Sequence, residues 1–268
     1  QIKSGLMLAA LNTEGTTKII ENNITRDHTE NMLRLFGASI DISKNGTQTS
    51  ISINGKHELV SNNIDVPSDL SSSAFFIVAA LINKGSKIIM DNININPTRD
   101  GILKALNKMG AKIDIKNKRK LSGEIVADLE VEYSELNGCE LEPEIAKLMI
   151  DEYPILSIAA AFANSPSVFR GLGELKVKES DRLELIRLNL IRCGCDCKVI
   201  NDDLFINPLN SSSPIKKNIR TDFDHRIAMA FTVMGTKIGN LSIEDTGSIN
   251  TSFPNFIKKF NDAGGNFL

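Results

Sequence analysis

The sequence repeats itself, and the repetition limits the possible folds to stacked copies of one unit. Leu6-Met7-Leu8-Ala9-Ala10-Leu11 is followed by Gly15, Lys18-Ile19-Ile20, Thr25-Arg26-Asp27, Phe36-Gly37-Ala38 and Ile40-Asp41-Ile42. The same order returns as Phe76-Ile77-Val78-Ala79-Ala80-Leu81, Gly85, Lys87-Ile88-Ile89, Thr98-Arg99-Asp100, Met109-Gly110-Ala111 and Ile113-Asp114-Ile115. Gly15 and Gly85 stand 70 residues apart, and Gly37 and Gly110 stand 73 apart. A third, looser copy runs from Ile155 through Val168-Phe169 and Ser180–Ile191 to Gly194 and Val199. A fourth runs from Ala228 through Leu241 and Ile243 to Phe260 and Gly264. Such units bury their apolar faces on one another.

Each unit reads as an apolar, alanine-rich helix, a short β-branched strand, a helix with apolar spacing, and an alternating strand. In the second copy the spacing of Ile102, Leu103, Leu106 and Met109 predicts the second helix, and Gly110 fits its C-terminal end. In the first two copies a further strand follows, at Thr49–Ile53 and Gly123–Ala127. The expected fold class is therefore α/β (α+β), with neither a glycine-rich Rossmann fingerprint nor a P-loop. Asp65-Val66-Pro67-Ser68-Asp69 interrupts the pattern. That predicts a lobe of one unit over 1–64 and a lobe of three units over 65–268.

Polarity narrows the function. Lys plus Arg number 31 against 33 Asp plus Glu, a net charge of −2, which argues against a general nucleic-acid binder. With 41% hydrophobic residues the chain can fill a core, yet it lacks the run of about 18 apolar residues that spans a membrane. No signal-peptide pattern is visible, and a cytoplasmic location with reduced thiols is expected. The alternate spacing of Cys193, Cys195 and Cys197 suits a strand better than a zinc site, and Cys139 stands apart. No metal is expected.

The unusual polar residues gather where helices begin. Gly173–Leu183 places Lys176, Lys178 and Arg182 around Glu179, Ser180 and Asp181. This is either an anion site at a helix N-terminus or a solvated helix start with paired charges. Asp224-His225-Arg226 stands directly before an apolar helix, where Arg226 can fork onto a phosphate and His225 can move protons. Asp151 enters the buried helix of the third copy, as an N-cap or as a general base. Arg26-Asp27-His28 opens the second helix of the first copy, a surface cap or part of the same site. If the units surround an axis, these ends converge. Arg26, Lys178, Arg182 and Arg226 would then hold polyanions, and Asp151 and Glu179 would transfer protons without a metal.

At these residues the chain resembles the 5-enolpyruvylshikimate-3-phosphate synthase family. The resemblance is carried by Leu175–Leu183, Asp224–Ala230, Asp151–Leu156, Asn250–Pro254, Asp69–Phe76 and Thr25–Glu30, in order along the whole chain. It implies β-α-β-α-β-β units in two lobes, about four of the family's six being present. It also implies transfer of the enolpyruvyl group of phosphoenolpyruvate to the 5-hydroxyl of shikimate-3-phosphate, with no cofactor, by a protein that is a monomer. Gln1, Arg26, Asp151 and Lys178 would hold shikimate-3-phosphate, and Arg182 and Arg226 would hold phosphoenolpyruvate with His225 beside them. Asp151 would take the 5-hydroxyl proton and Glu179 would help protonate the methylene carbon.

Thr251 stands where many members of the family carry a lysine, and it is assigned no role. The family's amino-terminal lysine-serine and arginine segments and its glyphosate-sensitivity loop have no counterpart here, so sensitivity to that inhibitor is not legible. With Gln1 in place of an initiator Met, the chain reads as the carboxy-terminal part of such an enzyme. Taken alone it is expected to fold and bind anions without turnover. UDP-N-acetylglucosamine enolpyruvyl transferase is the alternative within the fold. That family has a leucine in place of His225 and lacks the Lys-Glu-Ser-Asp-Arg run.

Overall fold

The computed structural model describes residues 1–23, 25–209 and 218–267. The first unit comprises α1 (Ile2–Leu11), β1 (Thr16–Glu21), α2 (His28–Leu35), β2 (Ile40–Asn45) and β3 (Gln48–Asn54). Its sheet is antiparallel in the order β1-β3-β2. Along β3 the period of two turns Thr49, Ile51 and Ile53 inward. The chain then runs to residue 69 without a helix or strand, apart from one bridge between Ser68 and Ile93.

The second unit repeats the plan as α3 (Leu70–Ile82), β4 (Lys87–Asn94), α4 (Gly101–Lys108), β5 (Lys112–Leu121) and β6 (Glu124–Glu132), with sheet order β4-β6-β5. The third adds to it. A short strand β7 (Glu140–Leu141) and helix α5 (Pro143–Met149) precede a 3-10 turn at Ile150–Glu152. Then come α6 (Tyr153–Ala161), β8 (Ser167–Phe169), a 3-10 turn at Gly173–Val177, α7 (Arg182–Arg192), β9 (Cys197–Ile200) and β10 (Asp203–Ile206). The last part holds β11 (Asn218–Ile219), α8 (His225–Ile238), β12 (Ser242–Ile243), a 3-10 turn at Thr246–Thr251 and α9 (Phe256–Asp262). Its two strands pair in parallel.

Three details differ from the sequence expectation. The third unit has a strand pair, β9 and β10, after its second helix, which only the first two copies had announced. β7 and α5 have no counterpart in the repeat. Of the three clustered cysteines only Cys197 lies in a strand, because Cys193 caps the end of α7 and Cys195 sits in the turn after it. All four cysteines are free and buried.

The repeated glycines have a common cause. Gly37, Gly110, Gly194 and Gly264 each come just after the second helix of a copy with φ of +80°, +86°, +93° and +104°. That left-handed conformation, unfavourable for a residue with a Cβ, turns the chain away from the helix axis.

The apolar helices α3, α6 and α8 pack on one another at the centre of the larger lobe, within a core running from Leu70 to Phe260. The first unit has its own small core of Met7, Ala10, Ile19, Leu33, Ala38, Ile51 and Ile53. These separate cores, with a crossing between them that holds no helix or strand, support the boundary we propose at 64/65. On α1, the counterpart of the central helices, Ile2, Leu6 and Leu8 remain exposed. Among the described residues no helix is long and apolar enough to cross a membrane.

Candidate active site

The polar site is built where α2, α6, α7 and α8 begin. Arg182, the first residue of α7, is its centre and is fully buried. A buried guanidinium is tolerable only when carboxylates surround it. Its Nε donates to Asp224 Oδ2 at 2.8 Å, its Nη1 to Asp151 Oδ1 at 3.1 Å, and its Nη2 to Glu179 Oε2 at 2.5 Å.

Asp224 is buried as completely as Arg182 and serves two elements. Its Oδ1 caps α8 by accepting from the backbone N–H of Arg226 at 2.9 Å, and its Oδ2 takes Arg182 and the Ser180 hydroxyl, the latter at 2.8 Å. Burial works to raise its pKa, but Arg182, Ser180 and the helix N–H outweigh burial and hold the carboxyl below its ordinary range. Asp222 and Phe223, both at positive φ, turn the chain immediately before it.

Asp151 lies in the 3-10 turn that leads into α6, and its carboxylate caps no helix. It faces cations instead. Arg26 Nη2 stands 3.3 Å from Oδ2, and Arg182 Nη1 and Lys178 Nζ stand 3.1 and 3.6 Å from Oδ1. Arg226 Nη1 donates to the Asp151 carbonyl at 3.0 Å. Burial again pushes the pKa up, and Arg226, Lys178, Arg182 and Arg26 together bring it below the usual carboxylate value.

Of the sequence-derived residues, Arg26, Asp151, Lys178, Glu179, Arg182, His225 and Arg226 therefore come together. The paired-charge reading of the Lys178 segment is visible, since the Lys178 ammonium also pairs with Glu174 at 2.5 Å and Lys176 pairs with Asp202 at 2.7 Å. Glu179 is half-exposed at the rim. His225 is half-buried, and its pKa is lowered first by that burial and then by Arg226 and Arg182, against the raising effect of Asp224 and Glu179. Gln1 is exposed at the N-cap position of α1 and its side chain bonds no described residue.

Sequence reading missed the support behind Arg226. Its Nη1 also reaches Glu152 Oε1 at 3.3 Å, and that buried carboxylate accepts from the Ser71 hydroxyl, to which Arg99 Nη2 donates at 2.5 Å. Ser71 and Glu152 sit inside motifs already noted, but only their burial marks them. Asp224 was visible beside His225 without a role of its own.

Comparison with known proteins places the chain in a family. The family model described as EPSP synthase (3-phosphoshikimate 1-carboxyvinyltransferase) matches residues 1–260. A 3-phosphoshikimate 1-carboxyvinyltransferase of Paramagnetospirillum magneticum is 45% identical over 266 residues, covering 98% of this chain and 60% of that protein. One from Zymomonas mobilis is 43% identical over 272 residues, covering 100% and 60%. The solved EPSP synthase of Acinetobacter baumannii superposes with a TM-score of 0.88 at 41% identity, over 99% of this chain and 60% of that one. The enolpyruvyl transferase NikO of Streptomyces tendae, at 18% identity and a TM-score of 0.68, shares the fold. The chain thus spans about 60% of the length of these relatives. With a family match over nearly its whole length and a site assembled from the residues that suggested the family, the chain belongs to the EPSP synthase (3-phosphoshikimate 1-carboxyvinyltransferase) family.

Proposed function

We propose that the protein transfers the enolpyruvyl group of phosphoenolpyruvate to the 5-hydroxyl of shikimate-3-phosphate and releases phosphate. One observation carries this reading: four cationic side chains from three separate segments meet around Asp151. Arg26 and Lys178 are the exposed or half-buried members and would take shikimate-3-phosphate, together with Gln1. Arg226 presents a guanidinium that suits the carboxylate or phosphate of phosphoenolpyruvate, beside His225. Arg182, whose three nitrogens here donate to Asp224, Asp151 and Glu179, would join it by exchanging the Glu179 or Asp151 contact for the substrate.

Asp151 takes the proton of the 5-hydroxyl as that oxygen attacks the enol carbon. Its low pKa keeps it ionised, although it also makes the free carboxylate a weak base. Substrate phosphate drawing Arg26 and Lys178 toward itself lifts that restraint. Glu179, at the rim beside Arg182, delivers the proton to the methylene carbon. In the tetrahedral intermediate a proton then leaves the new methyl group for Glu179 while the carbon–oxygen bond to phosphate breaks. Phosphate departs with the proton that Asp151 had taken, and the re-formed methylene double bond leaves the enolpyruvyl ether. Positioning and fixed charge supply most of the acceleration. The substrates are soluble metabolites, and the four free buried thiols favour a reducing, cytoplasmic setting.

Calorimetric titration of the full-length protein with shikimate-3-phosphate, followed by phosphate release on adding phosphoenolpyruvate, tests the proposal. Absence of shikimate-3-phosphate binding by the folded protein would reject it.

A further inference from the structure

Immediately behind Arg26, the chain crosses to the larger lobe through polar contacts that the proposed chemistry does not use. Glu124 opens β6 at the turn of the β5–β6 hairpin. Its Oε1 bonds His28 Nδ1 at 2.9 Å and accepts from Asn31 Nδ2 at 3.3 Å. Its Oε2 accepts from Asn94 Nδ2 at 3.2 Å and Asn96 Nδ2 at 3.1 Å. Asn96 Nδ2 also donates to Asp27 Oδ1 at 2.6 Å. Asp27 occupies the N-cap position of α2, yet its side chain caps nothing there and turns to Asn96 instead.

The receiving side is held in place from behind. Asn96 is buried, and its Oδ1 accepts from the Thr98 backbone N–H at 2.8 Å and hydroxyl at 2.7 Å. Asn94 Oδ1 accepts from the Asn96 N–H at 2.9 Å. Gly123 lets the hairpin approach α2 closely: a Cβ there would lie 3.1 Å from the Asn31 carbonyl oxygen. By contrast Arg26 itself is 47% exposed in its side chain, and among the described residues its one side-chain bond is the 3.3 Å contact with Asp151. So exposed and long a side chain gains little from a single ion pair. Its aim must come from the backbone that carries it.

We infer that Glu124 is a positioning residue: by binding His28 and Asn31, and with Asn96 clasping Asp27, it fixes the 26–28 segment of the smaller lobe so that Arg26 meets its anion beside Asp151. The inference rests on the proposed reading of Arg26 as a shikimate-3-phosphate ligand. Glu124 acts through Arg26 and touches no substrate.

The test is a double-mutant cycle in the full-length protein, with shikimate-3-phosphate affinity read by calorimetry and KM and kcat read by phosphate release. Glu124→Ala is expected to weaken shikimate-3-phosphate about tenfold, the size of one lost charge-assisted hydrogen bond, and to raise its KM while leaving kcat nearly unchanged. Glu124→Ala combined with Arg26→Ala is expected to bind no more weakly than Arg26→Ala alone, because the two residues act as one device. Glu124→Gln, which keeps one acceptor oxygen, is expected to recover part of the loss. If Glu124→Ala fails to fold, Asn96→Ala and Asn31→Ala remove parts of the same anchor and are read identically. Wild-type affinity in Glu124→Ala beside a weakened Arg26→Ala, or fully additive losses, overturns the anchoring role alone. Unchanged affinity in Arg26→Ala overturns the reading of Arg26 as a ligand, and the anchoring role falls with it.

Discussion

At the scale of single residues, the Arg182 cluster separates groups that hold the fold from groups that do chemistry. Asp224 and Arg182 are both fully buried, so removing one strands the charge of the other. Asp224→Ala is expected to cost about 3–5 kcal/mol of stability, measured by urea unfolding. Glu179 is half-exposed, and Glu179→Gln should cost little stability while lowering kcat by about 10²–10⁴-fold. Asp151→Asn, by contrast, should lower kcat by a similar factor and also destabilise the fold, because it removes a carboxylate from the buried Arg182. A kcat near wild type in a folded variant removes that residue from the mechanism. His225 adds a titration test. Its burial and two neighbouring guanidinium groups outweigh Asp224 and Glu179, so its NMR midpoint should fall below the ordinary value of about 6.5 and its ring should be neutral at pH 7. A midpoint above that value contradicts this balance of burial and charge. The charges of this site were legible in the chain, because Lys178, Glu179 and Arg182 stand together there. The burial of Arg182 was not, since it depends on Asp224 and Asp151, which are distant in sequence.

At the scale of elements, acidic residues at helix entrances play different parts that spacing alone does not separate. Asp69 caps α3 by accepting from the Ser72 N–H at 2.9 Å, and Asp181 caps α7 by accepting from the Glu184 N–H at 3.0 Å. Asp27 stands at a second helix like Asp181, and Asp151 just before a first helix like Asp69, but their side chains leave the helix for Asn96 and for the cations. The distinction depends on what another unit presents opposite each helix end. Asp69→Ala should therefore cost about 1 kcal/mol, the usual value of an N-cap, with a small addition from its pair with Arg99. Thermal unfolding measures it, and a cost near zero would mean that the cap is dispensable in a helix this deeply packed. The helices and strands of the first two units were readable because apolar period and turning glycines agree there. β7 and α5 were not, because a two-residue strand and a seven-residue helix carry too few periods to register.

At the scale of the whole molecule, the two cores are joined by carboxylates, and this makes the joint sensitive to acid. Glu124 is pulled up by partial burial but down by His28, Asn96 and Asn94, and settles at about 2 against an ordinary 4.5. A depressed carboxylate contributes stability above its unfolded pKa and loses that contribution as pH falls through the folded one. The Glu124 contribution is thus complete above about 4.5 and withdrawn toward about 2. Asp151, also depressed, loses its attraction for Arg26 in the same direction. Beneath these contacts the smaller core has seven buried apolar side chains, whereas the larger core continues through α3, α6 and α8. The first unit therefore depends on the joint far more than the larger lobe does. Acidifying the 268-residue chain from pH 5 to pH 2 should strip hydrogen-exchange protection, corrected for intrinsic rate, from α1, β1 and β3 while α3, α6 and α8 still retain theirs. Glu124→Gln should reduce protection of the first unit already at pH 5 and flatten its further decline. Simultaneous loss in both regions at every pH would mean that the chain unfolds as one cooperative body, in which these carboxylates do not govern the joint.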